Sequence, residues 1–500
     1  MPGPLLTARA RMRRARRWVG ARLSGGFFRP VLTLVSGVVV AQAFTFAARP
    51  LLTRLYTPEE FGVLTLFITI VSLLGLLATG RYDDAQMLPA ARRDAAGLLL
   101  LALGAATAVT LLTLGLVIWR DGWAALLKSP NLAPALLLVP AGVLTLAWGQ
   151  SIESWHTRFD RFRLAAAGRV VQSLAVVGFQ VGAGLLGAGA LGLVEGAAVG
   201  FGAFLLVVAV PLVLRDGAVL RSSARRSVVR PLARRYRRFP LFSAPAVFFN
   251  LLSARAPVFL LAAFFGDATV GFFGIAFGTL AMPVGVVTGA VGRVFMVRAA
   301  EARRQGGLGP LTRQVHRRLV AVSLFPMAAA ALAGPSLFAF VFGAAWEEAG
   351  VYARLLAPWL FVSAVASPLT RVFDITERLG AAFGFSVVQL LALVAALAVA
   401  AGGGDARLAV GAVGAAGTLT RLVQIGWMLR LAGASVRAAA ADLGRHLLYA
   451  LPALGPALGT LALTREPLPL VAALGAGALA YLAAAAWADR RATTTQHRRP

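Results

Sequence analysis

The stretch PLFSAPAVFFNLLSARAPVFLLAAFF, Pro240–Phe265, decides the fold. Arg255 is its only charged residue, and the neighbouring charges are Arg238 and Asp267. A helix that crosses a membrane needs about 20 mostly apolar residues. This stretch is long enough, so the reading is a spanning helix with one arginine inside it. The composition agrees. Of 500 residues, 59% are hydrophobic and only 14% charged, with a mean hydropathy of +0.77. Soluble domains carry roughly 25% charged residues. The chain is therefore read as an all-α integral membrane protein.

Working outward, the same length criterion marks about fourteen transmembrane segments. They lie near 31–52, 62–80, 95–118, 132–150, 165–187, 190–214, 241–265, 269–296, 319–342, 350–370, 381–402, 407–429, 444–463 and 467–488. The formal charge is +29. In a soluble protein that would suggest nucleic acid. Here the basic residues sit in short loops between apolar runs, so the excess reads as an orientation signal. With the N-terminus in the cytoplasm, 41 of the 49 basic residues fall on the cytoplasmic side. The other side receives Arg49, Arg54, Arg120, Lys128, Arg255, Arg354, Arg407 and Arg465. An even number of spans follows, with both termini cytoplasmic. Lys128 is the only lysine, so a coding bias toward arginine accounts for the choice of Arg at most positions.

The loop RDGAVLRSSARRSVVRPLARRYRRF, Arg215–Phe239, holds nine Arg and one Asp and divides the chain. The expected organisation is a basic cytoplasmic segment over 1–30, a first lobe over 31–214, a basic connector over 215–240 and a second lobe over 241–429. Two further helices follow over 430–488, then a tail over 489–500. A weak internal repeat supports the two lobes. RPLLTRLYTPEEFGVLTLF after the first helix compares with RAPVFLLAAFFGDATVGFFGIAF in and after the seventh. Arg49 lies 13 residues before Gly62, and Arg255 lies 16 before Gly271. Helices 1 and 7 share an orientation, so the lobes would be parallel repeats about an axis along the membrane normal.

Several chemistries lack their residues. There is no cysteine, and no pair among the four histidines has metal-ligand spacing. No phosphate-cradling GxxxxGK[ST] loop is present. The outer loops are short, and no cluster of membrane-depth acids suggests a catalytic centre. The expectation is a transporter and not an enzyme, with no cofactor and no bound metal.

Charge at membrane depth is costly and usually faces a cavity. Arg255 sits somewhat beyond the midplane and reads as a cavity-facing substrate group, against snorkelling or an internal ion pair. Arg49, near the outer part of helix 1, shares a helix face with Gln42 seven residues earlier. Arg421, nearer the cytoplasmic end of its helix, and Asn250 are further cavity candidates. Glu195 is an isolated acid, read as a coupling group or as the partner of an arginine. Asp83 and Asp84 would pair with Arg81 or with Arg92 and Arg93, and Glu59 and Glu60 would favour a helix N-terminus. Arginines in a cavity without matching acids imply an anionic substrate, best met by phosphate.

The segment PLLTRLYTPEEFGVLTLFITIVSLLGLLATGRYDDAQMLP, Pro50–Pro89, resembles the start of Wzx-type oligosaccharide flippases of bacterial polysaccharide biosynthesis. The LYTPEEFG turn and the GRYDDA segment carry most of the likeness. FFGDATVGFFGIAFGTLAMPVG, Phe264–Gly285, and VFGAAWEEAGVYARLLAPWL, Val341–Leu360, add to it. The resemblance implies membership of the multidrug/oligosaccharidyl-lipid/polysaccharide exporter superfamily. It implies two six-helix lobes facing each other across a central cavity, and alternating access without ATP hydrolysis. The implied cargo is an undecaprenyl-diphosphate-linked glycan, flipped across the bacterial cytoplasmic membrane for O-antigen, capsule or exopolysaccharide. Membrane lipids, a polysaccharide polymerase and glycosyltransferases are the implied partners. Arg255 and Arg49 would hold the diphosphate. Three other readings stand beside this one: a lipid II flippase, a cation-coupled multidrug exporter, and a non-transporting scaffold that recruits glycosyltransferases through the Arg215–Phe239 loop.

Overall fold

A computed structural model describes residues 28–463 and 466–496. The basic segment at the N-terminus, up to residue 27, lies outside the described residues, as do residues 464–465 and 497–500. Among the described residues there is no strand. Fourteen helices of twenty residues or more dominate. They are α1 (Phe28–Leu55), α2 (Pro58–Ala78), α3 (Arg92–Ile118), α4 (Val139–Arg158), α5 (Phe162–Leu185), α6 (Gly189–Ser223) and α7 (Ala244–Phe265). The series continues with α8 (Asp267–Arg304), α9 (Leu308–Phe342), α10 (Glu347–Leu369), α11 (Leu379–Ala401), α12 (Ala406–Leu431), α13 (Val436–Leu463) and α14 (Pro467–Gln496).

Twelve of these, some with a flanking turn, are long and apolar enough to cross a membrane. The two outside that set are α1, whose described part carries Arg49 and Arg54, and α4, which carries Glu153 and Arg158. The expected 132–150 segment divides. A short helix, Leu132–Leu136, precedes α4, and α4 then runs eight residues past the expected end.

Packing within the first six helices is dominated by α5 on α6, α1 on α5, and α4 on α3 and α6. In the second set, α10 lies at the centre, against α8, α9 and α12, and α11 packs on α12 and α7. The last two helices pair with each other and lean on α9. Phe325 of α9 stacks on Tyr481 of α14 with ring centres 5.5 Å apart.

The two sets meet mainly through α2 against α8 and α7. Both α2 and α8 start at the same end of the molecule, which the charge distribution reads as the outer end. There the contact is reciprocal. Gly62, the fifth residue of α2, packs on the backbone of Asp267, the first residue of α8. Gly271, the fifth residue of α8, packs on the carbonyl of Pro58, the first of α2. A Cβ at either glycine would run into main chain, which cannot yield as a flexible side chain can. Three residues on, Gly274 of α8 faces Thr65 of α2. Each glycine aligned by the weak sequence repeat thus stands on the first residue of the opposite helix.

Local chemistry fixes the α1–α2 turn. Thr57 accepts from the Glu60 amide at 3.4 Å, and the Glu60 carboxylate accepts from the Thr57 amide at 2.8 Å. Pro58 occupies the first helical position. This capping box starts α2 where the sequence expects acids at a helix N-terminus.

Candidate functional site

Tight packing closes the outer end. Trp346, in the turn before α10, is almost fully buried and donates from its indole nitrogen to the Thr53 carbonyl of α1 at 2.9 Å. Its ring meets Phe61 of α2 edge-on at 5.1 Å and Phe272 of α8 at 6.0 Å. Tyr56 donates to the Gln180 carbonyl at 2.6 Å. Lys128, in the loop before α4, reaches across to the Phe264 carbonyl at the end of α7, 3.1 Å away. The seal therefore uses residues of both helix sets.

Toward the other end the helices part. A cavity of about 340 Å³ separates α1 from α8, lined by Val38, Val39 and Gln42 on one side and by Met282, Gly285 and Arg293 among others on the facing side. Open space surrounds Gly285 and Gly289, where an added Cβ would touch nothing within 4 Å. Behind α1 a second cavity, of about 420 Å³, is lined by Gln42, Thr45, Glu153, Arg169, Gln172 and Ser173 together with small apolar residues. Gln42 borders both spaces, and its side-chain oxygen is buried without a hydrogen-bond partner.

Arg49 is half-buried and bridges the two helix sets, donating to the Thr279 hydroxyl of α8 at 3.2 Å. The missing side chain at Gly278 leaves room for its guanidinium. Arg255 is at the middle of α7, ten residues or about 15 Å from the helix end at Phe265. It is half-buried and, among the described residues, has no ion pair and no hydrogen bond. Arg421 donates to Gln424 on its own helix at 2.6 Å, and its Nε is buried without a partner. α12 ends at Leu431, so Arg421 is about 15 Å inside that end and nearer to it than to the start of the helix. Asn250 is exposed and donates to the Ser386 hydroxyl of α11 at 3.2 Å. Glu195 forms no ion pair or hydrogen bond among the described residues, and it shares a stripe of α6 with the exposed Val199, Leu206 and Val213.

The structure thus brings Gln42 and Arg49 to the same side of the crevice. Asn250 and Arg421 are held by other contacts, and Glu195 stands apart. One pair was missed by sequence reasoning. Glu153 of α4 and Arg169 of α5 form an ion pair inside the second cavity, with Arg169 also donating to the Gln172 side chain at 3.1 Å. The Arg169 guanidinium lies over the Phe204 ring, 4.2 Å from its centre. The missed signal was Glu153, three residues past the expected 132–150 segment, opposite Arg169 in the expected 165–187 segment.

At the inner end two buried aspartates gather arginines. Asp216, fully buried, accepts from Arg92, Arg161 and the Trp155 indole. Asp442, also buried, accepts from Arg313 and Arg445. Of the expected alternatives for the acid pair, Asp84 takes Arg81, and Asp83 accepts from the Thr79 hydroxyl at 2.8 Å. Burial raises the Asp84 carboxyl above its usual range, Asp83 pushes the same way, and Arg81 opposes both.

Residues 51–351, more than half of the chain, match the family described as "Polysaccharide biosynthesis protein". The chain belongs to that family. No curated protein matches the sequence. Among solved structures, this polysaccharide biosynthesis family member is similar to the lipid II flippase MurJ in an inward closed conformation. The TM-score is 0.72 at 10% identity, covering 91% of this chain and 99% of that one. It is also similar to an inward-facing multidrug resistance MATE family transporter of the MOP superfamily. That TM-score is 0.59 at 14% identity, covering 78% and 95% of the two chains. A third similar structure is the Vibrio cholerae MATE transporter VcmN in the bent form, with a TM-score of 0.52 at 15% identity over 82% and 98%. At these identities the likeness is one of fold. It agrees with the superfamily that the LYTPEEFG and GRYDDA segments suggested, and with an all-helical, multi-pass membrane architecture.

Proposed function

We propose that this chain is a flippase that moves a polyprenyl-diphosphate-linked oligosaccharide across the bacterial cytoplasmic membrane by alternating access, for O-antigen, capsule or exopolysaccharide. The observation that carries the reading is the electrostatic imbalance at membrane depth. Arg255 and Arg49 have no carboxylate partner there, and a group with delocalised negative charge suits a guanidinium fork. The polyprenyl tail would stay in lipid, and the opening between α1 and α8 gives the head group a route between the two helix sets. The sealed outer end corresponds to the state that receives cargo from the inner leaflet. Membership of the polysaccharide biosynthesis family supports a glycan as the cargo.

The test is lipid extraction from cells depleted of the protein, followed by mass spectrometry of polyprenyl-diphosphate-linked glycans. A complete repeat unit should accumulate. Unchanged lipid-linked glycans, with polysaccharide still reaching the surface, would overturn the reading. A second reading, a flippase for lipid II, is favoured by one observation: this chain covers 99% of the length of a lipid II flippase in the superposition. Accumulation of lipid II with arrest of growth would select it.

A further inference from the structure

The basic connector contains a ten-residue helix, Arg226–Arg235, whose charged face has no role in the transport reading. Its two faces differ sharply. Leu232 is buried and Val228 half-buried, both against Gly97 of α3, and Tyr236 just past the helix end joins the same cluster with Leu98 and Ala102. Arg226, Arg230 and Arg234 recur every four residues and are all exposed, so they form one stripe about 12 Å long on the opposite face. They line a groove of about 660 Å³ with Ser227 and Pro231.

The protein supplies no counter-charge. From Gly217 to Gly266 the sequence has no acidic residue, and Asp216 is already held by Arg92 and Arg161. Among the described residues, none of the eight arginines between Arg221 and Arg238 enters an ion pair. The apolar face is already covered by α3, so the helix cannot be bound by inserting it among acyl chains. Gly97, its contact point, lies five residues or about 7.5 Å beyond the first residue of α3. The contact is thus near the starting end of α3, a helix long and apolar enough to cross a membrane.

We propose that Arg226, Arg230 and Arg234 bind the phosphates of anionic phospholipid headgroups in the leaflet bordering the start of α3. Basic residues near a membrane surface attract anionic lipid individually, and a stripe of three presents them along one line. The partner is the lipid and not the transported molecule, so this inference stands independently of the flippase reading.

The chain has no cysteine, so Ser227→Cys gives a single attachment point for a fluorophore in the full-length protein. The labelled protein is placed in mixed phosphatidylcholine and phosphatidylglycerol vesicles, with a headgroup quencher carried by one lipid or the other. Quenching should favour phosphatidylglycerol, and raising the salt should erase the preference. Replacing Arg226, Arg230 and Arg234 with Gln should lower the preference on the order of fivefold per arginine, while Arg237→Gln changes it less. Equal quenching by both lipids, or a preference that ignores salt, would overturn the proposal without relying on any variant. Survival of the preference in the triple variant would do the same. Displacement of the lipid by inorganic pyrophosphate at matched phosphate concentration would assign the stripe to a soluble diphosphate and reject the lipid. Loss of quenching on adding a glycosyltransferase partner, with no lipid preference beforehand, would point to a protein-docking surface and also reject it.

Discussion

Arginines at the inner end and arginines at membrane depth are treated differently by the same fold. Near the inner end, two buried aspartates each gather two arginines: Asp216 takes Arg92 and Arg161, and Asp442 takes Arg313 and Arg445. At the middle of α7, Arg255 has no carboxylate among the described residues, and Arg49 has the Thr279 hydroxyl and the Phe46 ring but no carboxylate. A coding bias places arginine without regard to need, but it does not place the matching acid. In these two clusters the chain supplies an aspartate. Where none is supplied, the guanidinium remains available to something that is not protein. Carrying such a charge in a spanning helix costs a few kcal/mol, so it persists where it is used or hydrated.

The largest effect should come from breaking a satisfied cluster. Asp216→Ala leaves Arg92, Arg161 and the Trp155 indole without their acceptor and should cost about 3 kcal/mol of stability. Thermal unfolding in detergent would show it as a lowered midpoint and reduced folded yield. An unchanged midpoint would mean that the cluster is incidental and would remove the contrast with Arg255.

Arg255→Ala should behave in the opposite way. Folded yield and midpoint should match wild type, while flipping falls roughly tenfold or more, the scale of one lost charge-assisted contact. Arg255→Lys should recover part of the rate by keeping the charge. Normal flipping by the alanine variant would take Arg255 out of the mechanism.

A third variant probes the outer seal that makes the crevice one-sided. Gly271→Ala puts a methyl against the Pro58 carbonyl and should hold the outer end open. A Cys at Thr65, in the α2–α8 contact, should then react several-fold faster with a membrane-impermeant thiol reagent added outside. Equal rates in both backgrounds would show that the two helices do not separate there. The smallest effect is expected for Lys128→Ala, which removes one exposed charge-assisted bond and should cost below about 1 kcal/mol. Its signature would be a modest rise in Thr65→Cys labelling with no change in folded yield.

Much of the fold was legible because hydropathy over twenty residues is a coarse and robust signal. The Pro240–Phe265 run emerged as a helix close to its expected bounds, whereas α6 runs nine residues past 214 into the expected connector and α8 eight past 296. The site was less legible, for reasons visible in α4 and α6. A charge read from sequence alone ends an apolar run. Glu153 therefore fell just outside the expected 132–150 segment, although its ion pair with Arg169 offsets its penalty and α4 continues past it. Glu195 looked buried because its sequence neighbours are apolar, but its stripe of α6 is an exposed one. Asp216 and Asp442 were passed over as solitary acids in arginine-rich stretches. Their significance depends on arginines 55 and more than 100 residues away, which spacing along the chain does not reveal.

Lys128 carries the chain's single side-chain amine, and its exposed ammonium donates to the Phe264 carbonyl near the end of α7. Acylating reagents that ignore guanidinium will therefore find one internal position in 500 residues. The pace at which that position is modified becomes a clock for the outer surface, slow while the lysine is engaged with Phe264 and fast once it swings free. It can be read by intact mass on the unmutated protein in its own membrane.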